Sequence, residues 1–489
     1  MPTSRRIIAQ TGIQVLGKIA SIALGVAAIA IITRALGLAG FGEYATVMAY
    51  LQLFGIAVDL GLNVLAPTML GERRGGVPSP PISGDHVGSP LRDDAARLLS
   101  NIFTIRLCAA VVVFTVAAGV ALLIPSYSAA VRAGIALATF SFLAIVLTQI
   151  LQAPFQVAAD MRMSVIADVL GRCVLVAVVA YAAWRGLGLQ AIIAATVLGN
   201  VVMFSIAFAA VRRYTAVRLA FDLAVWRDIL SRSWPIALSI LFNLVYLRAD
   251  AVILSLLKPA TDVGIYAAPY RLLDVLTQFP HMVMGLVLPL LAAAWVANDR
   301  VRFHDRLQRT FDGLALIGFP IAAGAIALGT PLMALVAGRE FAVSGGVLGV
   351  LALALVGIFL GQPFGYGVVA VGAQRRMLWG YAIVAVVTLA GYLIAIPIWS
   401  YWGAAWLTVA SETAIAAMTF SVVRAASGFR IASRTAVAAF AASVVMGIAL
   451  ALVSIPLIPR IALGAIVYTL LILALPPTRA VVRTALASR

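Results

Sequence analysis

The residues best suited to chemistry in this chain are charges placed where charges are expensive. Between Ser233 and Leu291 two apolar segments, each long enough to cross a bilayer, are joined by the short turn from Lys258 to Gly264. Arg248 and Asp250 lie inside the first, and Arg271, Asp274 and His281 inside the second. A charge near the middle of a membrane helix costs at least about 2.5–3.5 kcal/mol on insertion scales, so such side chains face a polar cavity or a partner. The pattern suits the holding of a charged ligand. Bond-making chemistry has no visible carrier: the three histidines form no HExxH arrangement, the two cysteines lack metal-site spacing, and neither a Walker lysine motif nor a GxSxG elbow occurs. Enzymatic activity, a metal centre and ATP-driven pumping by this chain alone are therefore not expected.

Similar charges recur along the chain. Lys18 sits low in the first apolar run, where it either snorkels to the interface or faces a cavity. Asp59 lies in the second span and Arg106 in the third. Asp168 and Arg172, four apart, share a helix face and form either a buried salt bridge or a switchable charge pair. Arg271 and Asp274, three apart, either neutralise each other or act separately. Glu412, near the middle of the twelfth span, is either a packed neutral acid or a site for a proton or cation.

The elements that must position these residues are membrane helices. Of 489 residues, 63% are hydrophobic and 11% charged, with mean hydropathy +1.07, whereas a soluble domain carries about 25% charged residues. The apolar runs are continuous and roughly twice the ten-residue alternating segments of a transmembrane barrel. About fourteen spans start near residues 12, 43, 98, 131, 163, 188, 233, 265, 310, 342, 378, 402, 433 and 460, so the expected fold class is an all-α, polytopic integral membrane protein.

The net charge of +17 invites a nucleic-acid partner until the positions are read. With the N-terminus cytoplasmic, the odd-numbered connections hold only Arg34, Arg132, Arg185, Lys258, Arg339 and Arg460, and the spans hold Lys18, Arg106, Arg172, Arg248 and Arg271. The rest of the 35 basic residues fall on the tails and even-numbered connections. This positive-inside bias puts both termini in the cytoplasm and leaves no reason to expect nucleic acid. The first apolar run is too long for a cleaved signal peptide, and Arg5-Arg6 reads as a topology signal. Cys108 and Cys173 fall within spans, so free, packed thiols are expected.

The chain also repeats itself. Phe41-Gly42-Glu43-Tyr44-Ala45 ends a short turn and starts a long span reaching Pro67. Val263-Gly264-Ile265-Tyr266-Ala267 does the same for a span reaching Pro289, and the offset from Gly42 to Gly264 equals that from Pro67 to Pro289. Gln152-Ala153-Pro154-Phe155 recurs as Gln362-Pro363-Phe364. Residues 1–232 are expected to form one lobe with a linker, 233–424 a second, and 425–489 two further spans and a cytoplasmic tail. The linker, Arg212 to Arg232, mixes arginines with aromatic and aliphatic residues and reads in part as an amphipathic helix on the membrane surface. The connection from Gly71 to Arg97 has a Gly/Pro/Ser-rich middle, with His86 in it, that reads as a mobile cytoplasmic insertion.

TRALGLAGFGEYA (residues 33–45), the DLGL element Asp59-Leu60-Gly61-Leu62, and RADAVILSLL followed by VGIYAAPYRLLD occur in that order. Together they resemble the Wzx-type flippases, the polysaccharide transporter branch of the multidrug/oligosaccharidyl-lipid/polysaccharide (MOP) exporter superfamily, over almost the whole chain to about Arg424. The Gly/Pro-rich insertion departs from that pattern. The resemblance implies two pseudo-symmetric six-helix lobes plus two C-terminal helices. It implies alternating-access movement of polyprenyl-diphosphate-linked oligosaccharide to the outer leaflet of the cell inner membrane, feeding a surface polysaccharide such as O-antigen lipopolysaccharide or exopolysaccharide. Expected partners are that lipid-linked glycan, membrane lipids, and a polysaccharide polymerase and glycosyltransferases. No cofactor is expected beyond coupling to a proton or sodium gradient or the membrane potential.

A diphosphate carries about two negative charges, and arginine's planar fork binds its oxygens with paired donors. On this reading Arg248 and Arg271 hold the diphosphate, with Arg106, Arg172 and Lys18 behind them. Asp250, Asp274, Asp59, Glu412 and Asp168 orient those cations or carry coupling protons, and Gly42, Tyr44, Gly264 and Tyr266 form an outer gate. Six spans per half give both halves the same orientation, related by an axis along the membrane normal with the site between them. Within the superfamily the rivals are a lipid II flippase and a multidrug exporter, whose organic cations the fixed charges would repel. From another class, a membrane glycosyltransferase or polysaccharide polymerase would need a larger outward connection than any here.

Overall fold

The computed structural model describes residues 2–59, 61–73, 93–158, 160–476 and 478. Among them every regular element is helical: α1 (Pro2–Asp59), α2 (Leu62–Arg73), α3 (Asp93–Leu122), α4 (Ala129–Val157), α5 (Arg162–Trp184), α6 (Gly188–Val211), α7 (Leu223–Leu257), α8 (Ala260–Val296), α9 (Arg300–Val336), a short 3-10 turn (Arg339–Ser344), α10 (Gly345–Ala370), α11 (Gln374–Trp399), α12 (Tyr401–Ser427), α13 (Arg434–Leu452) and α14 (Leu457–Ala474). Twelve helical stretches among the described residues are long and apolar enough to cross a membrane. The protein is an all-α, multi-pass membrane protein. The middle of the Gly/Pro-rich insertion, with His86, and the C-terminal tail lie outside the described residues.

The first apolar stretch, Leu16–Asp59, has 44 residues, about 66 Å of helix at 1.5 Å per residue and enough for two crossings. One residue separates the two arms. Gly37 has φ 65 and ψ −173, a region that only glycine occupies without strain. The turn expected across residues 33–44 is thus compressed into Gly37, and Gly42 and Tyr44 are already helical. A side chain in that conformation costs about 1–3 kcal/mol. Gly37→Ala is expected to lower the thermal midpoint of the detergent-purified protein, and an unchanged midpoint would show that other contacts set the bend.

The second long span, expected to run unbroken to Pro67, is interrupted between α1 and α2, where Gly61 has φ +71. Its repeat partner α8 is continuous over 37 residues despite containing Pro269, Pro280 and Pro289. At the offset that carries Gly42 onto Gly264, the counterpart of Gly61 is Val283, whose branched Cβ disfavours the left-handed backbone that breaks the first copy. Proline inside a membrane helix is tolerated because neighbouring groups satisfy the carbonyl it leaves free.

The chain divides into two compact units, Met1–Leu256 and Leu257–Arg489. In the first, α4 is far more enclosed than α5, and it packs on α1, α2, α3 and α6. In the second unit the fourth helix of the repeat, α10, takes the same place, packing on α8, α9 and α12. Helix α11 packs mainly on α12. Its exposed Trp379 and Trp399 stand twenty residues apart, about 30 Å along the helix, which matches a bilayer's hydrocarbon core with a tryptophan at each interface. Helices α13 and α14 belong to the second unit and dock on α9, where the Tyr468 hydroxyl donates to the Leu316 carbonyl at 2.7 Å.

Of the linker, only the part from Leu223 is helical; α7 then runs through Arg232 and Ser233 without a break. Before it, residues 215–222 form an extended strap along α3. Ser100, Asn101 and Thr104 lie on one face of that helix. They accept the backbone N–H groups of Arg218 (3.2 Å), Asp222 (3.0 Å) and Ala220 (3.0 Å), and Asn101 also accepts the Trp226 indole N–H at 3.0 Å. An ion pair between Arg97 and Asp222 closes the strap. The Arg97 hydrogen bond, with help from the Val225 N–H, holds the Asp222 carboxyl below its ordinary value of 3.8. A lowered folded-state pKa stabilises the strap above that ordinary value, and the contribution fades as pH falls through the lowered one. Limited proteolysis should therefore leave the strap intact at neutral pH and nick it in acid; nicking independent of pH would remove Asp222 from its control.

Candidate functional site

Three arginine–aspartate pairs organise the intramembrane charges. In the first unit Arg106 on α3 is fully buried, with 0% of its side chain exposed. It donates to Asp59 Oδ1 at 2.8 Å and to Gln149 Oε1 on α4 at 2.7 Å, and Asn63 on α2 donates to the same Gln149 oxygen at 3.1 Å. The cluster braces the break at Gly61 by tying both its sides to α3 and α4. Arg106 Nε and Asn63 Oδ1 are buried without hydrogen-bond partners. The enclosed guanidinium thus links α3 to α1 and α4.

The second pair differs in exposure. Arg172 Nε donates to Asp168 Oδ1 at 3.1 Å one turn earlier on α5, and the Ser21 hydroxyl on α1 donates to the other carboxylate oxygen. The two side chains are 40% and 36% exposed, so the pair is anchored at one edge and open at the other. Lys18, also on α1, is exposed. Arg248, near the C-terminal end of α7, is half-buried, and Asp250 is 1% exposed.

In the second unit Arg271 and Asp274 are 3.7 Å apart, with 30% and 28% of their side chains exposed. That separation exceeds a hydrogen bond. His281 is the counterpart of Asp59 at the same repeat offset, so the second copy places an imidazole where the first has a carboxylate. Its Nδ1 donates to the Thr277 carbonyl at 2.7 Å, which leaves Nε2 to accept from the Gln362 amide at 3.4 Å. Glu412 on α12 is 8% exposed and lies against Gly357 of α10. The expected gate residues sit in packed helix: Gly264 is buried, Tyr266 is 1% exposed with its hydroxyl 3.2 Å from Thr408 Oγ1, and Tyr44 stacks on Phe41 at 6.0 Å.

The structure thus joins Asp59 with Arg106, Asp168 with Arg172 and Arg271 with Asp274, and puts Arg248 and Arg271 in different units. Sequence reasoning missed Gln149, Asn63, Ser21 and Gly25. For the last two a signal was present: Gly17, Ser21 and Gly25 recur every fourth residue, the small-residue stripe that lets membrane helices approach closely. Gln149 carries no such mark. Among the described residues no cluster of His, Cys, Asp and Glu could hold a metal.

The fold is that of known membrane transporters. A lipid II flippase, MurJ, in an inward closed conformation superposes with a TM-score of 0.74 at 12% identity, over 96% of this chain and 98% of that one. An inward-facing multidrug resistance MATE transporter of the MOP superfamily gives 0.67 at 14% identity, over 83% and 94%. A MOP superfamily transporter from Pyrococcus furiosus, described as having a binding pocket of reversed polarity, gives 0.57 at 16% identity, over 86% and 95%. No curated protein matches the sequence. The family model for polysaccharide biosynthesis proteins covers residues 7–295, more than half the chain and all three arginine–aspartate pairs. The chain therefore belongs to the polysaccharide biosynthesis protein family.

Proposed function

We propose that this protein is a flippase that carries a polyprenyl-diphosphate-linked oligosaccharide from the cytoplasmic to the outer leaflet of the inner membrane, by alternating access and with both termini cytoplasmic. The observation that carries this reading is the two part-exposed arginines within apolar helices, Arg172 and Arg271, each beside a carboxylate and each with part of its side chain exposed. Fixed cations in a low-dielectric setting favour a doubly anionic headgroup and disfavour organic cations. Family membership supports a glycan cargo, and the near-full-length likeness to a lipid II flippase supports a diphosphate lipid. Lipid II itself is the second reading, favoured by that likeness. Arg248 and Lys18 complete the cationic set, Asp168, Asp250, Asp274 and Glu412 orient it or couple it to an ion gradient or the membrane potential, and Gly42, Tyr44, Gly264 and Tyr266 serve closure on the outer side. Arg106 and Asp59 act through helix geometry.

The test is reconstitution in liposomes, following a fluorescent polyprenyl-diphosphate glycan, lipid II and a drug cation in parallel. Accessibility of the glycan lipid at the far leaflet is the expected result. Movement of the drug alone would overturn the proposal, and movement of lipid II alone would favour the second reading.

A further inference from the structure

On α1, Gly17, Ser21 and Gly25 fall on one face, and Lys18 lies on the same side, three residues before Ser21 and seven before Gly25. Helix α5 packs along this face. Val165 lies against Gly17, Asp168 receives the Ser21 hydroxyl, and Arg172 reaches on to Gly25. There its Nη1 stands 3.1 Å from the point that a Cβ on residue 25 would occupy. With no side chain at residue 25, there is room for that nitrogen.

The orientation follows from how the donors are divided. Asp168 uses one oxygen for Ser21 and the other for Arg172 Nε, at 3.1 Å. With Nε tied, the Nη1–Nη2 edge has no protein hydrogen bond among the described residues, and 40% of the side chain is exposed. With Nε engaged, that edge is the one left that can meet two oxygens in a plane, and a side chain already immobilised loses less entropy when a ligand arrives. Lysine, by contrast, offers a mobile point charge.

We propose that this seat makes Arg172 the residue of the first unit that grips the diphosphate, with Ser21, Gly25 and Asp168 as positioning residues, and that Lys18 supplies the second cation that selects a diphosphate over a monophosphate lipid. The inference rests on the proposed function and deepens it. Its point is geometric: a charge at position 172 is insufficient, and the room at residue 25 and the carboxylate decide what the charge can hold.

The experiment is a titration of the full chain in nanodiscs with fluorescent short-chain polyprenyl diphosphate and, separately, the monophosphate. The wild type should prefer the diphosphate by at least about tenfold, the scale of one charge-assisted contact. Gly25→Val, which keeps every charge, and Arg172→Lys, which keeps the charge but not the fork, should each lose most of that preference while monophosphate binding changes little. Lys18→Gln should lose it too, and Ser21→Thr, which keeps the hydroxyl, should retain it where Ser21→Ala weakens it. If Gly25→Val misfolds, as read from its melting curve, Arg172→Lys carries the test. Undiminished selectivity in Arg172→Lys, or in a folded Gly25→Val, would overturn the seat while leaving the flippase reading intact. Failure of the wild type to bind either lipid would overturn both.

Discussion

Arg106→Ala is expected to destabilise the folded protein by about 3–5 kcal/mol, because it strands Asp59 inside the first unit without its cation. Arg106 has 0% and Asp59 15% of the side chain exposed, and the guanidinium also anchors Gln149. A double change, Asp59→Leu with Arg106→Met, should recover much of the loss, since a buried ion pair replaced by apolar groups of similar volume is often neutral or stabilising. Denaturant unfolding in detergent, read by tryptophan fluorescence, measures both variants. The recovery matters more than the loss: it would show that the pair is a brace, whose charge is dispensable once nothing opposes it. Should Arg106→Ala keep wild-type stability and lose only transport, Arg106 would instead belong with the residues that meet cargo.

Arg271→Ala is expected to do the reverse, sparing stability and abolishing export. Its 3.7 Å separation from Asp274 exceeds a hydrogen bond and both side chains are about 30% exposed, so its loss should cost far less stability than breaking the buried Arg106–Asp59 pair. Removing the guanidinium takes away a charge-assisted contact to the headgroup, and a loss of about 2.7 kcal/mol corresponds to about a hundredfold in flux. Arg248→Ala should behave alike. Flipping in liposomes reports the effect, with membrane insertion and the melting curve as controls. Wild-type flux in both variants would remove them from the cargo path, and a collapse of Arg271→Ala on purification would show that its pairing is structural after all.

Much of this was legible without coordinates because the informative signals are local. A run of about twenty apolar residues declares a membrane helix by its own length. The return of Gly42 and Pro67 as Gly264 and Pro289, at one constant offset, declares the repeat. The pairing of Arg172 with Asp168 could be read from a spacing of four. What could not be read was whether that pair is closed or open, since exposure depends on which side of α5 meets α1. Arg106 illustrates the limit most sharply. Like Arg172 it lies inside an apolar span with nothing in the sequence to mark its exposure, yet one is enclosed and the other 40% exposed.

The amino-acid sequence by itself determined the class of molecule, the approximate number and placement of its helices, the internal repeat, and which residues carry charge into apolar segments. These follow from composition and from the cost of burying polar groups, which each segment meets alone. Only the tertiary structure decided that Gly37 is the whole of the first turn, that Gly61 breaks a span its repeat keeps whole, and which arginines are enclosed and which are part-exposed. The reason is rotational: hydropathy sets the depth of a helix in the membrane, but the face it turns toward its neighbours is set by packing between segments far apart in the chain, here Ser21 and Gly25 on α1 against Asp168 and Arg172 on α5.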